Sequence, residues 1–175
     1  MGGGMMPNQV PCCHSVRFVG SVARHAARMA AMVALAVLVA AGSPGPSQGT
    51  PDEAKAMAEH AAVHLRDVGP EKAIADFNDP QGEFHDRNLF VVTYNGQRRI
   101  VSSLGVPAYL GRDATGFVDA DGKEFGKAII GMAETAGAGW VSYRMTNPAT
   151  MKVELKRSYV VKAGDYIVFV GAYEP

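Results

Sequence analysis

The chain has 175 residues, 17 basic and 17 acidic side chains, and an apolar share of 47%. This suits one globular domain and excludes a disordered or fibrous chain. The charge balance leaves no basic stripe of the kind that tracks phosphates, so no nucleic-acid partner is expected.

Arg17, Arg24 and Arg28 precede an uncharged run of Ala, Val, Leu and Met from Met29 to Ala41. Spanning hydrocarbon takes about 20 apolar residues, so this shorter run behind a basic segment reads as a secretory signal. Residues 1–42 are assigned to it, with small residues at Val39, Ala40, Ala41 and Gly42 offering cleavage points. The alternatives are a start at a later methionine, such as Met29, or an uncleaved signal that anchors the chain in the inner membrane. Ser43 to Gly49 is linker, and residues 50–175 form the domain, placed in the periplasm or outside the cell. Cys12 and Cys13 both lie in the leader, so the exported part has no disulfide, no thiolate chemistry and no lipid-bearing cysteine. Without the leader's three arginines its net charge is −3.

Thr50, Pro51 and Glu53 combine a hydroxyl N-cap, a proline at the first helical position and a carboxylate three residues on, which starts a helix. Ala54, Met57, Ala58, Ala61, Leu65 and Val68 form its apolar stripe, and Gly69 and Pro70 end it. A short helix follows from Pro70 to Phe77, closed by the breaker run from Asn78 to Gly82. Leu89 to Tyr94 and Gln97 to Ser102 flank Asn95 and Gly96, which predicts a hairpin with a type I′ turn. Ser103 to Gly116 reads as a loop able to wall a pocket. A third helix is predicted from Lys123 to Ala136, with Phe125, Ile129, Ile130 and Ala133 inward and Gly137 past its end. Three strands complete the chain: Trp140 to Met145, Val153 to Val161 and Tyr166 to Tyr173. The fold class is therefore α+β, with a long N-terminal helix and further helices packed on a five-stranded antiparallel sheet.

Trp140, Tyr143, Arg144, Lys156 and Tyr159 are the candidate ligand-binding residues, because paired strands bring cations beside phenols. Such a group suits a small carboxylate, which needs charge-assisted hydrogen bonds to offset its desolvation. Strand parity limits the set: if Tyr143 points in, Arg144 points out, and Lys156 and Tyr159 take opposite faces. The alternative is that the aromatics are core and the cations are solvated. His60 and His64 lack a third metal ligand, and the segment Asp119 to Gly122 has Phe117 where a calcium loop needs its first carboxylate. Gly111 to Gly116 lacks the lysine of a phosphate loop. Ser102 and Ser103 sit at a strand end without a nucleophile elbow, and His85 with Asp86 reads as a polar turn.

The run from Asp119 to Tyr173 (turn, helix, glycine stop, then strands carrying Trp140, Tyr143, Pro148 and the segment Lys156, Arg157, Ser158, Tyr159) resembles the C-terminal half of single Cache domains of the second type. The resemblance extends over Thr50 to Tyr173. It implies a PAS-like extracytoplasmic sensor that captures a small organic ligand without transforming it, so neither an enzyme nor a cofactor or metal is expected. It implies that Trp140, Pro148 and the strand from Lys156 to Tyr159 lie around the cavity. Tyr94 and Tyr109 are further candidate pocket residues. Phe90, Ser102 and Ser103 depart from the tyrosine and histidine often found there. No output domain follows, so a membrane sensor kinase or chemoreceptor acting in trans is the expected partner. The rival readings are a ligand-free interaction module and a small periplasmic enzyme.

Overall fold

The computed structural model describes residues 48–174; the expected signal peptide and most of the linker lie outside the described residues. Helix α1 spans Pro51–Val68 and starts on the predicted capping box. Thr50 Oγ1 accepts the Glu53 amide at 3.3 Å, and the Glu53 carboxylate accepts the Thr50 amide at 2.8 Å. That backbone donor, followed by the Arg87 guanidinium, pulls the Glu53 carboxyl down to about 2. The buried face of α1 is Ala54, Ala58, Ala61, Ala62 and Leu65, so four of its five inward side chains are methyl groups. The helix axis therefore lies close to the sheet. Gly69, at φ 81°, turns the chain directly into α2, Pro70–Phe77. His64 on α1 meets Asp76 on α2 at 2.8 Å, and both histidines of α1 pack on the Phe84 ring.

The strands are β1, His85–Asp86; β2, Leu89–Tyr94; β3, Ile100–Ser103; β4, Ala138–Asn147; β5, Lys152–Ala163; and β6, Tyr166–Tyr173. All are antiparallel, in the order β1, β2, β6, β5, β4, with β3 also on β2. The sheet thus has six strands where five were expected, because His85 and Asp86 pair with Phe90 and Leu89 rather than forming only a turn. β1 and β3 share the edge of β2 that β6 leaves free, so the sheet remains five strands wide.

The hairpin at Asn95 differs from its prediction. The side-chain carbonyl of Asn95 accepts the amides of Gln97 and Arg99 at 3.1 and 2.9 Å, and its backbone carbonyl accepts Arg98 N–H at 2.8 Å. Arg98, at φ 59°, takes the left-handed position, and β3 begins only at Ile100. The asparagine side chain, acting as a local acceptor, outcompetes the two-residue turn.

Helix α3 spans Phe125–Ala136 and buries the predicted Phe125, Ile129, Ile130 and Ala133. It lies on the face of the sheet opposite α1 and α2, and the sheet separates two apolar cores. β6 is central: every residue from Ile167 to Tyr173 is buried. The turn before α3 clasps the outer strand β4, as Asp119 Oδ2 accepts Arg144 N–H at 2.9 Å and Ala120 N–H donates to Arg144 O at 3.1 Å.

Enlarging the methyl face of α1 must push the helix off the sheet. Ala58→Leu is expected to cost about 1–3 kcal/mol in urea unfolding, while Asp67→Ala, on the exposed side of the helix, stays within about 0.5 kcal/mol.

Candidate ligand-binding site

Strand alternation gathers side chains on the α3 face around a cavity of about 50 Å³. β2 supplies Phe90, Val92 and Tyr94; β4 supplies Tyr143 and Met145; β5 supplies Lys156 and β6 Phe169. β3 supplies both Ile100 and Ser103, which are three apart and would fall on opposite faces of a regular strand. The pairing jumps from Thr93 with Ser102 to Tyr94 with Ile100, so Val101 is an inserted bulge residue that restores both to one side.

The roof is the segment that follows β3. Its turn places Gly105 against the Phe90 ring so closely that a side chain there would overlap it. Tyr109, in a single 3₁₀ turn at Pro107–Tyr109, meets Phe117 edge to face at 4.7 Å. The Arg112 guanidinium covers both rings, at 5.7 and 4.8 Å from their centres. Phe125, at the start of α3, stacks flat on Tyr143 at 4.4 Å. The segment is held to the outer side of β3 by Ile100 N–H to Arg112 O at 3.1 Å and Gly111 N–H to Ile100 O at 2.8 Å.

Lys156 is the only cation among the cavity residues, and it is 7% exposed. Its ammonium lies 5.3 Å from the centre of the Phe90 ring and 4.7 Å from that of Tyr173, with no carboxylate or other hydrogen-bond acceptor on it among the described residues. Burial pushes it down to about 8, because a desolvated ammonium is disfavoured against its neutral form. The lysine reaches this position by crossing β6 at Gly171, where a Cβ would stand 2.6 Å from Lys156 Cε and 2.5 Å from Ser158 Oγ. Tyr143 is buried and its hydroxyl pairs with Ser158 Oγ at 2.7 Å; burial raises the phenol well above its ordinary range. Tyr173 is pushed up to about 12, also by burial, and donates its hydroxyl to Thr146 O at 2.9 Å. Ser103 Oγ is buried without any hydrogen-bond partner among the described residues.

The five residues expected to gather are divided by the register. Tyr143 pairs with Lys156 on the cavity face, and Tyr94 and Tyr109 join them. Trp140 pairs with Tyr159 on the opposite face, where their rings meet at 5.0 Å, Arg157 covers Trp140 at 4.8 Å, and Lys55 of α1 approaches Tyr159 at 5.3 Å. Arg144 is exposed on that same face beside Asp121, and Pro148 is exposed in the β4–β5 turn. Sequence reasoning did not single out Phe117, Phe125, Phe169 or Gly171 for the cavity, and it met Ser103 only as a departure from the family's pattern. Alternation in β6 brings Phe169 and Gly171 to the face of Lys156, but only the strand register discloses it.

A broader groove of about 780 Å³ lies between the start of α1 and the β4–β5 hairpin, lined by Thr50, Pro51, Thr150, Leu155 and Tyr173 among others. Among the described residues it has no unpaired buried side-chain group, so the smaller cavity, which Lys156 and Ser103 line, is the better candidate. Tyr173 lines this groove, and its ring lies 4.7 Å from the Lys156 ammonium.

Among solved structures, the chain is similar to a periplasmic sensor domain of a chemotaxis protein, with a TM-score of 0.56 and 19% identity over 86% of this chain and 98% of that one. It is also similar to a Cache chemosensory domain described for carboxylic acid recognition, with a TM-score of 0.55 and 16% identity over 89% and 100% of the two chains. A methyl-accepting chemotaxis protein from Vibrio parahaemolyticus gives 0.55 and 14%, over 70% and 86%. At these identities the likeness is one of fold. No curated protein matches the sequence. The profile of single Cache domain 2 matches residues 47–174, which is most of the chain, and the protein belongs to the single Cache domain 2 family of sensor domains.

Proposed function

We propose that this chain is an exported sensory module that binds a small organic anion in the cavity on the α3 face, with Lys156 as its counter-charge, and signals to a separate membrane partner such as a sensor kinase or chemoreceptor. The observation that carries the reading is a buried ammonium with aromatic rings around it and no carboxylate on it. Buried charges are ordinarily paired, and an arriving carboxylate would make the missing charge-assisted hydrogen bond. A space of about 50 Å³ suits an acid of about two or three carbons, since one water needs about 10–15 Å³ on the same scale. The carboxylic acid named for one structural neighbour supports the ligand class. Export rests on the basic and apolar leader, and on the extracytoplasmic setting of the family. The domain is read as a receptor rather than a catalyst, because the cavity offers a counter-charge and donors but no nucleophile held by a base.

Signal transfer needs a ligand that binds one conformation better than another. A carboxylate on Lys156 would compete with the Tyr173 ring for the ammonium, and Tyr173 also lines the groove that Thr50 and Pro51 line at the start of α1. The long helix is therefore the element through which occupancy would leave the domain.

A thermal-shift titration with acetate, propionate and lactate tests the reading; a ligand at a hundred times its dissociation constant stabilises by about 2.7 kcal/mol. A flat result on folded protein would instead favour a ligand-free interaction module. Lys156→Met is expected to abolish the shift and yet raise the stability of the ligand-free chain by about 1–3 kcal/mol. The sign follows from linkage: with Lys156 down to about 8 when folded and near 10.4 when unfolded, the unfolded chain holds more protons between those values. The penalty for burying the charge is full below pH 8 and fades by about pH 10.4, and the gain from Lys156→Met fades with it. Calorimetric affinity for the acid should be level below pH 8 and fall by up to about tenfold per unit above it; constant affinity to pH 9.5 excludes an ammonium contact. Gly171→Ala, which places a methyl group against Lys156 and Ser158, should weaken binding by about tenfold or more and destabilise by about 1–3 kcal/mol.

A further inference from the structure

A buried amine with no anion on it is a nucleophile as well as a counter-charge. Lys156 is 7% exposed and lines a cavity that has no carboxylate and no second cation in its walls. The titratable groups that face it are phenols: Tyr143 from β4, Tyr173 from β6, Tyr94 from β2 and Tyr109 from the roof. Burial raises Tyr94, Tyr143 and Tyr173 above the ordinary range, so these three stay neutral. Glu154, two residues away on β5, is engaged by Asn147 Nδ2 and Thr150 Oγ1. Nothing among these groups holds a proton on the lysine, and burial brings it down to about 8. A lysine desolvated in an apolar pocket has a free electron pair with which to attack a carbonyl carbon.

The same cavity supplies donors for the carbonyl oxygen. Ser103 Oγ is buried without a partner, and the hydroxyls of Tyr94 and Tyr109 carry no hydrogen bond among the described residues either. Each of the three can donate to that oxygen while the amine adds to the carbon. We infer that Lys156 captures a small neutral aldehyde in this cavity as an imine, a reversible covalent adduct. The nitrogen bonds to the carbonyl carbon, and the carbonyl oxygen leaves as water with the two amine protons, so no oxidant or reductant is needed. An imine is less basic than the amine it replaces. The adduct is therefore neutral, and the burial that disfavours the ammonium favours the product. An oxo acid is excluded, because its carboxylate would be buried with the one cation of the cavity consumed. A space of about 50 Å³ limits the aldehyde to about two or three carbons. The anion reading uses the ammonium and this one uses the free amine, so either stands without the other.

The test is to incubate the purified chain with acetaldehyde at about pH 8, fix imines as ethylamines with sodium borohydride, and locate them by peptide mass spectrometry. The exposed Lys55, Lys72 and Lys127 serve as internal standards. Lys156 should reach half-modification at an acetaldehyde concentration about tenfold or more below theirs, since about half of it is free amine at that pH and an exposed lysine near 10.4 is almost wholly protonated. Its modification should level off above about pH 8, while that of the exposed lysines climbs to about pH 10. In guanidinium chloride the preference should vanish, because the cavity creates it. Modification of Lys156 no readier than that of Lys127, or a preference that persists in the unfolded chain, overturns the inference. Stabilisation by acetate without selective modification likewise overturns it and leaves the anion site standing; selective modification without any acid binding supports it and leaves the anion reading to fall alone.

Discussion

Side chains alternate between two buried faces of one sheet, and this parity decides almost everything else in the molecule. β6 lies at the centre with both faces covered, so Val168, Val170 and Ala172 feed the core under α1 while Ile167 and Phe169 feed the core under α3. The next residue of the second series is Gly171, and the space left by its missing side chain is where Lys156 passes. Shifting the pairing by one residue would send the lysine into the alanine face of α1 and turn Trp140 toward the cavity. The register of β5 against β6 therefore sets both the packing of the long helix and the identity of the site.

The site is held in an energetically unfavourable state by favourable surroundings. An ammonium with two aromatic rings and no anion recovers part of its lost hydration through the ring faces, but burial still depresses its affinity for protons. The serine hydroxyl across the cavity is unpaired as well. Around these two groups the walls are stacked and edge-on aromatics: Phe125 on Tyr143, Tyr109 against Phe117, and Tyr94 against Phe169. A rigid apolar wall keeps the polar groups from relaxing toward water, so they remain available to a partner of the right size.

Much of the fold was legible because local signals agreed with tertiary placement. The capping box at Thr50 and Glu53, the spacing of Ala54, Ala58, Ala61 and Leu65, and the apolar side of α3 required nothing beyond period and end chemistry. Strand extents were less legible: β4 and β5 run two residues or so past their predicted limits, because an edge hairpin continues for as long as its partner does. The hairpin at Asn95 misled because the dipeptide Asn95–Gly96 suits a type I′ turn, whereas the asparagine side chain binds the loop ahead of it. For the site, Lys156 and Tyr143 were recognisable as a cation and a phenol on paired strands, and parity already warned that Tyr143 and Arg144, like Lys156 and Tyr159, could not share a face. Ser103 was harder. Its direction depends on the bulge at Val101, which has no local sequence mark, and Gly171 carries meaning only once its neighbour across the ladder is known.

The clasp made by Asp119 has a consequence for how the protein meets its own kind. β4 is the last strand of the sheet, and an unpaired strand edge is a template on which a second chain can add a strand. Asp119 and Ala120 occupy the amide and carbonyl of Arg144 near the middle of that edge, and Lys123 Nζ takes the carbonyl of Ser142. A strand approaching from outside would find the central rungs of the ladder already filled and a charged loop in its path. The turn that leads into α3 thus also acts as a guard against aggregation, protecting a sensor whose most exposed hairpin carries Met151, Val153 and Leu155.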